Sequence, residues 1–328
     1  MAADGRDEAA SPVDYARLID AETWAFIRDS ESWYPPDTAT APVERQREIY
    51  DRMCRAFHRG YPPGVTAQDA PVAGVPCRHY RKSGAAPAAT VLYLHGGGFV
   101  VGGLDSHDDV CAEICAATGF DVVAADYRLA PEHRHPAAFD DCLAVARSVA
   151  ADGRALILAG DSAGGCLAAS VAHAARSGGP KIAGLVLIYP GLGGDMNAGS
   201  YLRHAQAPML TRDDVLYYFT IRHPEGAARG TDWRAEALAD TDFSGLPPAI
   251  LFAAECDPLA DDCAAYAARL TAAGGRAFSL TEPGLVHGYL RARRTVTRAD
   301  ASFRRITEAI ACLGRGGWPG WARMEDCA

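Results

Sequence analysis

A chain of 328 residues accommodates one large α/β domain with about 50–100 residues to spare, and 49% hydrophobic against 22% charged residues excludes a wholly disordered chain. A formal charge of −9 argues against a nucleic-acid binder, which needs a basic stripe to displace counterions. No apolar run approaches the ~20 residues of a membrane span, since the longest, around Ile182 to Tyr189, is strand-sized.

Met1 to Ser11 is acidic and Ala-rich, without the basic and apolar regions of a secretory signal. Ser11 and Pro12 supply an N-cap and N1 proline for a helix running to about Asp29. The Trp33-Tyr34-Pro35-Pro36 break ends that pattern, and Pro42 opens a second helix reaching about Gly60. From Val75 onward, short β-rich runs alternate with longer helical patterns. Strands are expected at Val75–Arg81, Thr90–His95, Asp121–Asp126, Ala155–Gly160, Leu185–Tyr189, Ala249–Ala254 and Ala277–Thr281. Helices are expected at Ser106–Ala117, Pro136–Ala151, Ser162–Arg176, Asp261–Ala273 and Ala299–Cys312. Continuously apolar strands such as Ala155-Leu156-Ile157-Leu158-Ala159 require cover on both faces, so the alternation predicts a mostly parallel sheet with helices on either side. The pattern lapses between Gly191 and Leu246, a stretch too long for an ordinary loop and read as an inserted lid or cap. The tail Gly314–Ala328 has turn-forming composition and no legible role. Ten cysteines form no paired CxxC knuckles, and they read as reduced, partly buried small hydrophobes. A cytoplasmic protein is expected.

Three signals carry chemistry. In Gly160-Asp161-Ser162-Ala163-Gly164-Gly165, Ser162 directly follows an apolar strand and opens a helix, the context of a nucleophile elbow. The bland alternative is an ordinary βα turn with Ser162 as N-cap. One βα unit earlier, His95-Gly96-Gly97-Gly98-Phe99 also follows a strand, and successive glycines let backbone N–H groups turn toward one point. A serine nucleophile needs a base, and the base an orienting carboxylate. Only His287 lies beyond residue 223 among the ten histidines, in Gly284-Leu285-Val286-His287-Gly288-Tyr289. The upstream acids are Glu255, Asp257, Asp261 and Asp262. Asp257 is favoured because it follows the apolar strand and precedes Pro258, with Glu255 as fallback; Asp261 and Asp262 read as charges in the next helix's first turn. His133-Arg134-His135 is too short for a metal cage and reads as a solvated loop.

With these residues in view, the chain resembles the bacterial hormone-sensitive-lipase-like carboxylesterases of the α/β-hydrolase superfamily. His95–Phe99, the run Asp126-Tyr127-Arg128-Leu129-Ala130-Pro131-Glu132-His133, Gly160–Gly165, Asp257-Pro258-Leu259 and His287-Gly288-Tyr289 carry the likeness, over about residues 75–312. Two small departures are Tyr289, where Phe often stands, and His135 in place of a usually apolar residue.

The resemblance implies an α/β-hydrolase fold, with residues 1–60 as N-terminal cap helices, 61–312 as catalytic domain, 191–246 as inserted cap element and 313–328 as tail. It makes Ser162 the nucleophile, His287 the base and Asp257 its acid. It assigns the oxyanion hole to the N–H groups of Gly97, Gly98 and Ala163, leaving His95, Gly96 and Asp161 as motif support. The expected activity is hydrolysis of short-chain esters through an acyl-enzyme, with no metal or cofactor. Expected partners are a small-molecule ester and, from the family and an open sheet edge, a second copy of the chain, with no nucleic acid and no stable membrane insertion. Aromatics in the cap (Trp24, Phe26, Trp33, Tyr34, Tyr217, Tyr218 and Phe219) either line a substrate pocket or pack the cap onto the body. Two rivals share the scaffold: an amidase (such as an arylformamidase) or small-molecule deacetylase, and a non-catalytic ligand receptor.

Overall fold

The computed structural model describes residues 13–322. In chain order the elements begin with α1 (Tyr15–Leu18), α2 (Ala21–Glu31) and α3 (Val43–Phe57), followed by β1 (Val65–Asp69), β2 (Cys77–Lys82) and β3 (Ala89–Leu94). Then come α4 (Asp108–Thr118), β4 (Asp121–Ala125), α5 (Ala137–Ala150), β5 (Ala155–Asp161), α6 (Ala163–Ala175) and β6 (Ile182–Ile188). The long segment after β6 holds α7 (Gly199–Arg203) and α8 (Arg212–Arg222), and the chain continues through β7 (Ala249–Cys256), α9 (Ala260–Ala272), β8 (Ala277–Val286) and α10 (Thr297–Gly314).

The strands form one sheet in the order β1-β2-β4-β3-β5-β6-β7-β8, in which β2 runs antiparallel to both its neighbours, β1 and β4, and every other pair is parallel. Side chains alternate across it. Val91, Tyr93, Ile157, Ala159, Val186 and Ile188 pack with residues of α4 and α10 on one face. Leu92, Leu94, Leu156, Leu158, Leu185 and Leu187 pack with residues of α5, α6 and α9 on the other. This period of two explains why the central strands read as unbroken apolar runs: both faces are covered.

Four readings change. The single opening helix is two, because Asp20 accepts from the Thr23 N–H at 2.8 Å and starts a new helix there; the Ser11-Pro12 start lies outside the described residues. The strand β1 was not anticipated, since Val-Thr-Ala-Gln-Asp at a sheet edge buries only Val65. His135 is no solvated residue: its ring is mostly buried and bonded to Asp232 at 3.0 Å. Asp261 and Asp262 sit in the first turn of α9 but serve the inserted segment. Asp261 accepts from the Ser200 N–H at 2.7 Å, while Asp262 accepts from the N–H groups of Leu192 and Gly193 and the Tyr201 hydroxyl.

Asp262 is buried, and burial lifts its pKa to about 6 against the pull of those donors. Asp262→Ala strands two amides and a phenol without an acceptor. We expect a loss of about 3 kcal/mol, read as a lower urea midpoint at constant m-value; an unchanged midpoint would show that the insertion is held by other contacts.

Arg47 on α3 is one tie between the N-terminal helices and the body. Its guanidinium donates to the carbonyls of Val100 (2.8 Å) and Ala130 (2.9 Å) and forms a two-point pair with Glu132 (2.8 and 2.7 Å). In the tail, Trp318 and Trp321 pack against the α10 side of the core.

Candidate active site

Ser162 stands between β5 and α6 with φ 52° and ψ −119°, a backbone conformation that L residues rarely adopt. Such strain costs on the order of 1–3 kcal/mol and persists only where the surroundings enforce it. Here the Ser162 N–H donates to Ile188 O at 2.9 Å, tying the bend to the end of β6. A Cβ on Gly164 would strike the Leu94 carbonyl, so only glycine lets α6 approach β3 this closely. As N-cap, Ser162 makes no side-chain hydrogen bond to the helix. Its hydroxyl is engaged elsewhere, at 2.8 Å from His287 Nε2.

His287 follows β8, and its Nδ1 lies 2.7 Å from Asp257 Oδ2. Asp257, after the end of β7, is fully buried, and its second oxygen accepts from the Leu259 N–H at 2.9 Å. With the Nδ1 proton donated to Asp257, Nε2 is an acceptor for the serine hydroxyl. The fallback acid Glu255 is occupied instead by the Gly284 N–H at 2.6 Å, linking β7 to β8.

The glycine loop lies beside this line. Gly97, Gly98 and Phe99 have φ of 123°, 60° and 65°, and a Cβ on Gly97 would strike the Val101 carbonyl. Among the described residues, none of the N–H groups of Gly97, Gly98 and Ala163 donates to a protein acceptor. All three residues line the same cavity as Ser162 and His287.

The remaining motif residues brace the loop against the elbow. Asp161 accepts from the Tyr93 hydroxyl (2.7 Å) and the Gly96 N–H (3.1 Å) and meets His107 Nε2 at 3.2 Å. Burial pushes its pKa up, but the adjoining His107 and the bonds from His107 and Tyr93 outweigh this and hold it at about 2. His95 is buried, its Nδ1 donating to Gly96 O at 2.8 Å and its ring stacked 4.3 Å from that of Tyr127. Burial, then the nearby His107, lower its pKa to about 4, so it is a neutral strut. The Tyr127 hydroxyl donates to His95 O at 2.6 Å, which is how the Asp126–His133 run supports the loop.

Of the cap aromatics, Tyr34, Tyr218 and Phe219 line the cavity, and the Tyr218 ring fills the space a Cβ on Gly98 would need. Phe26 is instead buried edge-on against Phe57, and Trp33 and Tyr217 are exposed. Sequence reasoning passed over Tyr189. Its ring lies 4.9 Å from that of His287 and 5.0 Å from that of Tyr289, fixing the imidazole from one side. The available signal was its place just past the carboxyl end of a parallel strand, where sites in such sheets gather. No helix among the described residues is long and apolar enough to cross a membrane.

A profile described as the α/β hydrolase fold matches residues 91–291. The carboxylesterase NlhH of Mycobacterium tuberculosis is 41% identical over 278 residues, 82% of each chain. The ethyl acetate hydrolase of Pseudomonas putida is 34% identical over 72% of this chain and 78% of its own. Among solved structures, a bacterial heroin esterase superposes with a TM-score of 0.82 at 28% identity, covering 92% of this chain and 98% of its own.

Proposed function

Since the chain belongs to the bacterial hormone-sensitive-lipase-like carboxylesterases of the α/β-hydrolase superfamily and is a carboxylic ester hydrolase, we propose that it cleaves short-chain esters by acyl transfer through Ser162. The observation that carries this reading is the continuous hydrogen-bonded line from Ser162 through His287 to Asp257.

In the first half-reaction Ser162 Oγ attacks the ester carbonyl carbon while His287 Nε2 takes the hydroxyl proton. The carbonyl electron pair moves to oxygen, which the N–H groups of Gly97, Gly98 and Ala163 receive; one such donor is worth about 3 kcal/mol. Asp257 holds the imidazolium in orientation. Collapse reforms the carbonyl and breaks the bond to the alcohol, which leaves with the proton from Nε2. Water then repeats the sequence: His287 removes its proton, the acyl–serine bond breaks, and Ser162 regains its hydrogen.

The Tyr218 ring against Gly98, with Tyr34 and Phe219 lining the same cavity, supports a small acyl group. The ethyl acetate hydrolase relative supports the same choice. In a p-nitrophenyl ester series, kcat/KM is expected to peak at acetyl to butyryl and fall at least about tenfold by decanoyl. Equal rates along the series would exclude a short-chain enzyme. Nine free thiols among the described residues, eight of them buried, support a reducing compartment and hence the cytoplasm.

A further inference from the structure

Four arginines line the cavity that holds Ser162: Arg222, Arg229, Arg291 and Arg293. Two are neutralised. Arg229 pairs with Glu236 at 2.7 Å, and Arg293 pairs with Asp109 at 2.6 Å and Glu113 at 2.8 Å. Among the described residues, Arg222 and Arg291 have no carboxylate within ion-pair distance. Arg291 ends on the Tyr50 hydroxyl (3.0 Å) and Cys54 Sγ (3.4 Å).

Arg222, at the C-terminus of α8, is only 4% exposed. Its Nη1 donates to Ala235 O at 3.0 Å, and its Cζ lies 3.5 Å from the centroid of the Phe99 ring. Its Nη2 is buried and, among the described residues, has no acceptor. A guanidinium taken out of water without a counter-charge is costly, and the ring quadrupole offsets only part of that cost. Arg222 shares its cavity with Ser162 and stacks on Phe99, the residue that follows Gly98.

We infer that Arg222 anchors a carboxylate carried by the substrate, so that esters bearing a second, ionised acid group are the preferred class. The inference rests on the acyl-transfer reading above and adds the missing counter-charge: the ligand's carboxylate completes a charge-assisted pair that the protein leaves open. The anion can sit on the acyl or the alcohol side of the scissile bond, and both give the same pair with Arg222.

The test compares matched esters. For the acyl side, p-nitrophenyl hydrogen succinate is set against p-nitrophenyl methyl succinate. For the alcohol side, 4-acetoxybenzoate is set against its methyl ester. In at least one arm the wild type should favour the anionic member in kcat/KM by about tenfold or more. Arg222→Met should abolish that ratio, and Arg222→Lys should restore part of it, a split that a purely structural role would not produce. Preference for the neutral member in both arms, or a preference that survives Arg222→Met and is lost in Arg291→Met, overturns the assignment. A binding readout stands apart from turnover. Monomethyl succinate should raise the Tm of Ser162→Ala and dimethyl succinate should not; equal shifts count against the anchor. If the wild type hydrolyses neither ester of a pair yet this Tm difference holds, the acyl-transfer reading falls and the anchor remains.

Discussion

Ser162→Ala is expected to lower kcat by about 10⁵–10⁶-fold while the circular dichroism spectrum and Tm stay close to wild type. The size follows from the role of the hydroxyl. Without Oγ no covalent bond to the acyl carbon can form, and His287 is left next to a methyl group. What survives is the contribution of the glycine-loop amides and of binding, on the order of 10³–10⁴ over the uncatalysed reaction. Stability is spared because alanine keeps the β-carbon at φ 52° and removes only a hydrogen bond between the two side chains. Stopped-flow turnover of p-nitrophenyl acetate measures the loss. Near-wild-type rates in a folded Ser162→Ala protein would remove this serine from the mechanism.

Asp257→Asn should cost about 10³–10⁴-fold in kcat, while Glu255→Gln should cost little. Asparagine can present an N–H to His287 Nδ1, and the imidazole then carries its proton on Nε2, where the Ser162 hydroxyl needs an acceptor. The geometry stays while the base is lost. Glutamine at 255 keeps an oxygen for the Gly284 N–H, which donates to Glu255 at 2.6 Å. The pair of variants therefore separates two acids that stand two positions apart at the end of β7. If Glu255→Gln were the damaging change and Asp257→Asn the mild one, the orienting carboxylate would be reassigned.

The parts of this molecule legible in its sequence are those where local chemistry and global position coincide. The doubly covered strands announce themselves because Leu156 to Ala159 must be apolar whichever face each residue occupies. Ser162 and the glycine loop are legible because tight turns demand particular residues at particular places, as the Leu94 carbonyl does of Gly164. The rest depends on partners far away in the chain. Nothing near Asp262 says that its carboxylate will meet the amides of Leu192 and Gly193. Nothing around Arg47 announces that it will grip Glu132. The strand β1 has an edge position and one buried side chain, so its five residues carry too little alternation to be seen. The break at Asp20 was written locally, in Asp20 and Thr23, and was masked by the apolar residues on either side.

The grip of Arg47 also changes what the first part of the chain is for. Tyr50, Met53, Cys54 and Phe57 of α3 form part of the cavity wall, and Arg47 on the same helix holds Val100, Ala130 and Glu132 of the body. That wall and the line Ser162–His287–Asp257 thus come from separate stretches of the polypeptide, and Arg47 is one of the ties between them. Rewriting that face of α3 would remould one wall of the cavity without touching a residue that makes or breaks bonds.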